Sequence, residues 1–360
     1  MAGSVDRVAE PFGVYVHVPF CARRCDYCAF ATWDDRAHLI GRYVEGVRRE
    51  ITGVVAGGLR PATSVFFGGG TPSLLTAGEL ASILELVPRA EGAEVTVECN
   101  PDTVTAELLG GYRAVGVTRI SLGVQSMMSH VLAALGRTHD VANVHRAVEE
   151  VRAGGFATFN LDLIFGAAGE SIADWQKTVD EVLALDPPHL SAYALTVEPG
   201  TPLAADPARH PDDDDQADKY GLADDALSAA GLANYEISNW ARPGHECRHN
   251  LLYWSQGDYR GFGCAAHSHQ SGRRWWNVRT PERYLAAVET GASPEAAGER
   301  LGPGERRLEG LQLSLRTGHG VPAEALPEGE LAGLVRRRGD RLVLTRQGRL
   351  LANEVALRLR

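Results

Sequence analysis

The chain has 360 residues, 44% of them hydrophobic, and a formal net charge of −10. This length suits one large α/β barrel with an appendage, and no apolar run approaches the roughly 18 residues that a membrane span requires. The acidic balance argues against sequence-independent nucleic-acid binding, which depends on basic patches. The opening residues MAGSVDRVAEP contain no hydrophobic signal core, so we expect a reducing, cytoplasmic location, with peripheral membrane contact left open.

Apolar runs alternate with amphipathic stretches over the first two thirds of the chain, which is the βαβα pattern of a parallel sheet. The predicted strands are Val14–Val18, Ser64–Phe67, Glu94–Glu98, Arg119–Gly123, Thr158–Ile164 and His189–Leu195. The predicted helices are Arg36–Val55, Thr76–Val87, Thr103–Ala114, Val141–Ala153 and Ser171–Leu185. Six such units predict an open, partial (β/α)6 barrel, with the functional residues where strands end.

Three cysteines follow the first predicted strand at spacings of four and three residues, namely Cys21, Cys25 and Cys28. A [4Fe–4S] cluster normally takes four thiolates, so three from one loop would leave one iron with an open coordination site. A zinc knot and a disulfide are the alternatives, but structural zinc requires four closed ligands and disulfides are rare in the cytosol. We therefore expect an iron–sulfur cluster, and we expect the scattered Cys99, Cys247 and Cys264 to be small buried hydrophobes.

This Cys-x3-Cys-x2-Cys pattern, with Tyr27 before its last cysteine, resembles the signature of the radical S-adenosylmethionine (SAM) enzymes. The resemblance implies that SAM chelates the open iron of the cluster. A partial radical-SAM barrel is then the expected fold, and SAM the expected second cofactor.

The second and third predicted strands end in residues typical of a ligand site. Phe66 to Pro72 reads FFGGGTP, and glycines let the backbone approach a ligand closely. In the radical-SAM resemblance, Gly69, Gly70 and Thr71 belong to the segment that hydrogen-bonds the methionine amino group of SAM, and Glu98 is an acid that contacts SAM. An ordinary strand-end acid is the alternative for Glu98.

The fourth and fifth predicted βα units also contain polar residues within or next to apolar stretches. Gln125 follows an apolar strand, Arg137 lies in LGRTH, and Asp162 interrupts the apolar run NLDLIFG, where a carboxyl group needs a partner. The chain resembles the oxygen-independent coproporphyrinogen oxidases and their relatives, in which the matching Gln, Arg and Asp line a second SAM or substrate pocket. In the same subgroup, residues matching Tyr15 and Tyr27 contact the first and second SAM.

Beyond residue 199 the pattern changes. Pro211 to Asp215 reads PDDDD and leads into a predicted helix from about Gln216 to Ala230. Acids are favourable at a helix N-terminus because of the macrodipole, and a metal role is the alternative. The segment Tyr235–Trp240 predicts one more strand.

A second candidate site follows, with His249-Asn250-x-x-Tyr253-Trp254 as its centre. Imidazole is an axial ligand of haem iron, and aromatic rings stack on a porphyrin. This HNxxYW pattern resembles that of the HemW family of haem chaperones, so His249 is the expected haem ligand, with Cys247, His245, His267 and His269 as the alternatives. Packing of these side chains between the barrel and the next domain is the alternative.

Two departures separate this chain from the coproporphyrinogen oxidases. Ala29-Phe30 follows the last cysteine where those enzymes have a fourth cysteine, and only about a dozen residues precede the first strand. Both differences favour HemW-type haem chaperones and imply haem delivery to apoproteins such as respiratory enzymes, with a homodimer linked to the cluster. The alternative is a radical-SAM coproporphyrinogen dehydrogenase; no catalytic residue is assigned.

The C-terminal part predicts a helix over Glu305–Leu315, the start of another at Leu331–Arg337, a hairpin at Gly339-Asp340 and a last helix to Leu359. This order is winged-helix-like. Its arginines are expected to serve solubility, with nucleic-acid contact as the alternative. The expected divisions are a barrel over 1–240, a connecting segment with the haem motif over 241–300, and a small C-terminal domain over 301–360.

Overall fold

The computed structural model describes residues 10–360, so most of the opening segment used for the location prediction lies outside the described residues. Twelve strands form its main sheet, in the order β12-β11-β10-β9-β1-β2-β3-β4-β5-β6-β8-β7, and three more form a small second sheet. None of the helices in the described range is both long and apolar enough to cross a membrane.

The centre of the main sheet consists of six parallel strands in chain order. They are β1 Phe12–Val18, β2 Ala62–Gly69, β3 Arg89–Cys99, β4 Arg119–Gln125, β5 Thr158–Phe165 and β6 His189–Ala194. The connecting helices are α1 Ile40–Ala56, α2 Ala77–Leu84, α3 Ala106–Ala114, α4 Ser129–Ala134, α5 Val141–Ala153 and α6 Ile172–Ala184. All six predicted strands and all five predicted helices are confirmed, and the short α4 is additional.

Local sequence explains these elements. In β1, Val14, Val16 and Val18 are fully buried in the apolar core, while Tyr15 between them is only half-buried, as the alternation of a strand requires. Capping boxes begin α2 at Thr76 and α6 at Ser171, which satisfies backbone donors that the first helical turn leaves free.

The sheet does not close, because further strands extend both of its edges. Those beyond β6 are antiparallel, whereas the strand next to β1 runs parallel to it and is followed by three antiparallel strands. Beyond β6 lie α7 Asp213–Ala229, β7 Ala233–Glu236 and β8 Asn239–Ala241. Beyond β1 lie α8 Arg248–Trp254, β9 Asp258–Phe262, β10 His267–Gln270, β11 Arg273–Asn277, α9 Pro281–Glu289 and β12 Glu295–Arg300. The predicted partial barrel is confirmed, and residues 258–300 are part of its sheet.

One predicted strand is wrong in detail. Tyr235–Trp240 forms two short antiparallel strands, β7 and β8, rather than one. The Asn234 side chain donates to the carbonyl of Glu236 at 2.7 Å and also bonds the carbonyl of Asn239. These bonds close a tight turn that the apolar pattern did not reveal.

The C-terminal residues pack around a hydrophobic cluster of their own, centred on Leu315, Val321, Leu342 and Val355. Their elements are α10 Pro303–Leu315, β13 Val321–Pro322, β14 Val335–Arg338, β15 Arg341–Leu344, α11 Arg346–Leu350 and α12 Ala352–Ala356. The hairpin at Gly339-Asp340 is confirmed. The predicted helix at Leu331–Arg337 is wrong, because its first half forms a turn and Val335 to Arg337 pair with β15 as part of strand β14.

Candidate functional site

The cysteine loop begins at the carboxyl end of β1. Cys21, Cys25 and Cys28 are all free and half-buried. Burial is the main cause that raises the pKa of Cys21 and of Cys28, and the charges of the neighbouring cysteines add to it. The three thiols therefore lie close to one another on one loop.

The glycine segment at the end of β2 lies directly against this loop. The backbone N–H of Gly70 donates to the carbonyl of Val18, and that of Thr71 to the carbonyl of Phe20, both at 2.8 Å. A Cβ on Gly70 would lie 2.5 Å from the Phe20 carbonyl oxygen, which is too close for any side chain. The strand end and the cysteine loop are thus joined backbone to backbone.

Glu98, at the end of β3, faces the same region. Its carboxylate accepts a hydrogen bond from the backbone N–H of Gly69 at 3.1 Å. Burial, together with the charge of Asp162, raises the pKa of Glu98 to about 8, against the opposing effect of the Gly69 bond. A raised pKa of this kind marks functional carboxyl groups more often than surface ones.

Arg137 links the cysteine loop to the ends of β3 and β4. Its guanidinium donates to Cys25 Sγ at 3.4 Å, to Asn100 Oδ1 at 2.6 Å and to the Gly123 carbonyl at 3.0 Å. Its Nε is buried and has no partner among the described residues. Beside it, Gln125 adopts φ of 66° at a bulge in β4. This conformation turns the end of the strand toward the mouth of the barrel, which is the region where the carboxyl ends of the parallel strands meet the cysteine loop.

Asp162 projects from β5 among polar side chains of neighbouring strands. Ser121 and Asn160 each donate to its carboxylate at 2.8 Å. Burial raises the pKa of Asp162 despite these bonds. The sequence analysis predicted that the buried carboxyl group of Asp162 needs a partner. That partner is a pair of neutral hydrogen-bond donors rather than a cation.

The two predicted SAM-contacting tyrosines have different surroundings. Tyr15 lies on β1, with its hydroxyl 3.1 Å from His17 Nδ1, and burial and the charge of Glu98 raise its pKa. Tyr27 packs with Met128 and Val197 on a small apolar cluster below α4. Burial and the charge of Cys25 raise the pKa of Tyr27.

Sequence reasoning missed several residues that complete this mouth. They are Asn100, Ser121, Asn160 and Ser191, which bond one another or the predicted site residues. A pattern in the sequence could have revealed them. Strands β4, β5 and β6 are otherwise apolar, yet each carries a polar residue at an inward position, and these positions are neighbours in the register of the sheet.

These residues fit an iron–sulfur cluster and SAM. The donors are three thiols of one loop, and the partnerless Nε of Arg137 lies in the group that contacts Cys25. Within residues 10–360, no three His, Cys, Asp or Glu side chains already converge on one point, so the thiols are positioned but are not a preformed ligand set.

His249 lies at the opposite end of the strands. It is 1% exposed, and its two ring nitrogens are 2.9 Å from Ser64 Oγ and 2.8 Å from the hydroxyl of Tyr253. Its ring stacks on Phe66, and burial lowers its pKa to about 3. This geometry fits the packing alternative, because neither nitrogen is free for iron.

The other features singled out in the sequence have structural explanations. Helix α7 begins at Asp213, within the acidic run, and Asp212 caps it by accepting from the backbone of Asp215 at 2.9 Å. This favours the helix-terminus interpretation. The three scattered cysteines are buried, at 4% exposure for Cys99, 3% for Cys247 and 0% for Cys264, as expected.

Residues 15–182 match the model of the radical SAM superfamily. The chain is 43% identical to a heme chaperone HemW of Mycobacterium tuberculosis over 99% of this chain and 96% of that protein. It is 32% identical to heme chaperone HemW of Bacillus subtilis over 95% of this chain and 97% of that protein. The structure of coproporphyrinogen III oxidase (HemN) from Escherichia coli superposes with a TM-score of 0.85 at 22% identity, covering 97% of this chain and 89% of that one.

Proposed function

Because the chain belongs to the radical SAM superfamily, in the family named heme chaperone HemW, we propose that it binds haem and delivers it to haem-dependent apoproteins. The likeness over nearly the whole length of those chaperones is the observation that carries this proposal. A [4Fe–4S] cluster and SAM are its proposed resident cofactors. Respiratory enzymes are proposed as recipients, in the cytoplasm, with a homodimer as the assembly.

Cys21, Cys25 and Cys28 would hold the cluster. When bound, the cluster supplies an open iron that SAM chelates and a source of single electrons. Arg137 donates a hydrogen bond to Cys25 Sγ at 3.4 Å and so places a positive charge beside one of the proposed ligands. The backbone contacts of Gly70 and Thr71 hold the loop against β2 and so limit its movement.

The remaining mouth residues would orient SAM. The Gly69 backbone holds Glu98 in place by a hydrogen bond of 3.1 Å, and Asp162 is held by two neutral donors. Two carboxyl groups facing one mouth can receive the positively charged amino and sulfonium groups of SAM. Gln125 and Tyr15 border the same mouth, and Tyr27 is proposed to contact a second SAM.

A direct assay separates the chaperone from the coproporphyrinogen dehydrogenase. The protein, with its cluster reconstituted under anaerobic conditions, is given dithionite, SAM and either haem or coproporphyrinogen. We expect stoichiometric haem binding, measured by absorbance, without conversion of coproporphyrinogen. Turnover to protoporphyrinogen would overturn the chaperone proposal in favour of the enzyme.

The ligand assignment has its own test. We expect that Cys21→Ser, Cys25→Ser and Cys28→Ser each reduce bound iron and sulfide to background, because each removes one of three ligands. Cys99→Ala and Cys247→Ala remove buried thiols away from the loop and serve as controls that keep the cluster. Retention of a full cluster in Cys25→Ser would refute the assignment.

A further inference from the structure

A cavity of about 640 Å³ lies between the cysteine loop, the inner face of the extended sheet and α10. This volume is in the range of sites for small molecules and cofactors. Ala29, Phe30 and Ala31 of the cysteine loop form one side, and Leu313 of α10 lies on the wall. Segments outside the HNxxYW motif, namely the cysteine loop and α10, therefore help to form this cavity.

The walls of this cavity are aromatic. Tyr15, Tyr253 and Tyr259 line it, and the rings of Tyr253 and Tyr259 meet edge to face at 4.6 Å. Phe30 stands beside them with 67% of its surface exposed. An aromatic side chain so exposed beside an aromatic cavity is suited to cover a flat, apolar ligand such as a porphyrin.

Three imidazoles line the cavity, and two of them are already engaged. His17 bonds the Ala31 carbonyl at 2.9 Å and the hydroxyl of Tyr15 at 3.1 Å. His269 bonds the Gly257 carbonyl at 3.0 Å and the backbone N–H of Gly272 at 3.3 Å. Both rings are nearly fully buried. Neither offers a nitrogen to a ligand in the cavity.

His267 differs from both. Its side chain is exposed, it takes part in no side-chain hydrogen bond within residues 10–360, and its ring stacks on Trp276 at 5.6 Å. Pairing places it level with Gly261 on β9 and hence with Tyr15 on β1. It lines the same cavity as Ala29, Phe30 and Ala31 and so lies on the side of the cysteine loop.

The arginines on the cavity wall also suit haem, whose propionate groups are negatively charged. Arg274 on the cavity wall is paired with Glu299 and Glu309, so its charge is neutralised. Arg279 also lines the cavity, is exposed, and forms no ion pair within the described part of the chain. A free guanidinium is the group that binds a propionate carboxylate best.

We infer that this cavity holds the haem, with His267 as axial ligand of the iron and Arg279 as partner of a propionate. The inference rests on the proposed function. It assigns to His249 a positioning role: His249 fixes the hydroxyl of Tyr253, which forms the wall. It also places the haem against the loop that carries the cluster cysteines, so the two cofactors share Ala29–Ala31 as a common border.

The test is haem titration of the full-length protein, with and without reconstituted cluster, followed by the Soret absorbance. His267→Ala should weaken binding by about tenfold or more and remove the spectrum of the imidazole-ligated form, because the iron loses a ligand. Added imidazole should restore that spectrum. His319→Ala is the matched control, since His319 is another exposed imidazole that lines separate cavities, and it should bind as the wild type does.

Two further variants decide the remaining alternatives. Arg279→Gln should weaken haem binding but leave binding of haem dimethyl ester unchanged, while Arg283→Gln, on exposed α9 surface, should alter neither. Loss of binding in His249→Gln with full binding in His267→Ala would overturn the assignment of His267. Absence of haem binding by the wild type would overturn the proposed function itself, so the two failures are distinguishable.

Discussion

At the scale of single residues, protonation separates Glu98 from the other carboxyl groups at the strand ends. Its pKa is raised to about 8 by burial and by the charge of Asp162. The folded protein therefore keeps this proton in a pH range where the unfolded chain has released it. Between the usual pKa and about 8, raising the pH must lower the free energy of unfolding.

We expect Glu98→Gln to remove this dependence in the cluster-free protein. Gln can still accept from the Gly69 backbone but does not ionise. Near pH 5 the variant and the wild type should be similarly stable, and near pH 9 the variant should gain on the order of 1 kcal/mol or more. Denaturant unfolding across this pH range measures it, and parallel pH profiles would contradict it.

The same substitution tests the proposed SAM contact independently of stability. If the carboxylate receives a cationic group of SAM, Glu98→Gln should weaken SAM binding several-fold, about one hydrogen bond to a charged group. Isothermal titration with the reconstituted protein gives the affinity. Equal affinities in wild type and variant would exclude Glu98 from the SAM site.

At the scale of elements, the contact between the end of β2 and the cysteine loop has no room for a side chain. Gly69 has φ of 113° and a Cβ there would lie 2.5 Å from the His17 ring. Gly70 meets backbone oxygen at the same distance. Backbone cannot move aside as a flexible side chain can, so these glycines set the position of the loop.

Gly70→Ala should therefore displace the loop, lower the bound iron after reconstitution, and destabilise the fold by about 1–3 kcal/mol through overpacking. Gly78→Ala is the matched control, because a Cβ at Gly78 in α2 meets nothing within 4 Å. It should stabilise the protein slightly, by about 0.5–1 kcal/mol. Equal iron content in both variants would contradict the close-packing argument.

At the scale of the whole molecule, the C-terminal unit is attached to the barrel through Asp224 on α7. This carboxylate is 5% exposed and bonds Arg346 at 2.8 Å, Arg349 at 2.6 Å and the indole of Trp240 at 2.9 Å. The unit also contributes α10, whose Glu309 and Leu313 line the aromatic cavity. The attachment of this unit and the proposed haem site are therefore linked.

Asp224→Ala should cost about 3 kcal/mol, because it leaves the mostly buried guanidinium of Arg349 without its carboxylate and leaves Arg346 with only the exposed Asp225 as a partner. It should also increase protease cleavage near α10 and weaken haem binding. Asp225→Ala is the matched control: this neighbour pairs with Arg346 but its side chain is 69% exposed, so its loss should cost less than about 1 kcal/mol. Similar costs for both variants would refute the anchoring role.

Local patterns were enough for the central barrel. Each of the six parallel strands is a short apolar run followed by an amphipathic helix, and the strands pair in chain order, so neighbours in sequence are neighbours in space. For the same reason Gly69, Glu98, Gln125 and Asp162, each near a strand end, could be expected at one mouth.

Other features depend on partners distant in sequence. Strand β9 joins the sheet by pairing with the free edge of β1, which lies nearly 250 positions earlier in the chain. The segment Leu331–Arg337 has a helical pattern, but from Val335 onward it pairs with β15, since ladder hydrogen bonds to that strand outweigh local propensity.

The sequence by itself determined the family and predicted the cysteine loop, the glycine segment and the strand-end acids, because these depend on residue type and spacing along one loop or strand. The tertiary structure alone decided which imidazole is available. His249 stands in a recognisable motif, yet Ser64 and Tyr253 occupy its ring. His267 lies outside the HNxxYW pattern, but strand β10 presents it to an aromatic cavity, with no side-chain hydrogen bond to any residue in the range 10–360. Whether a polar side chain is satisfied depends on neighbours that the fold supplies.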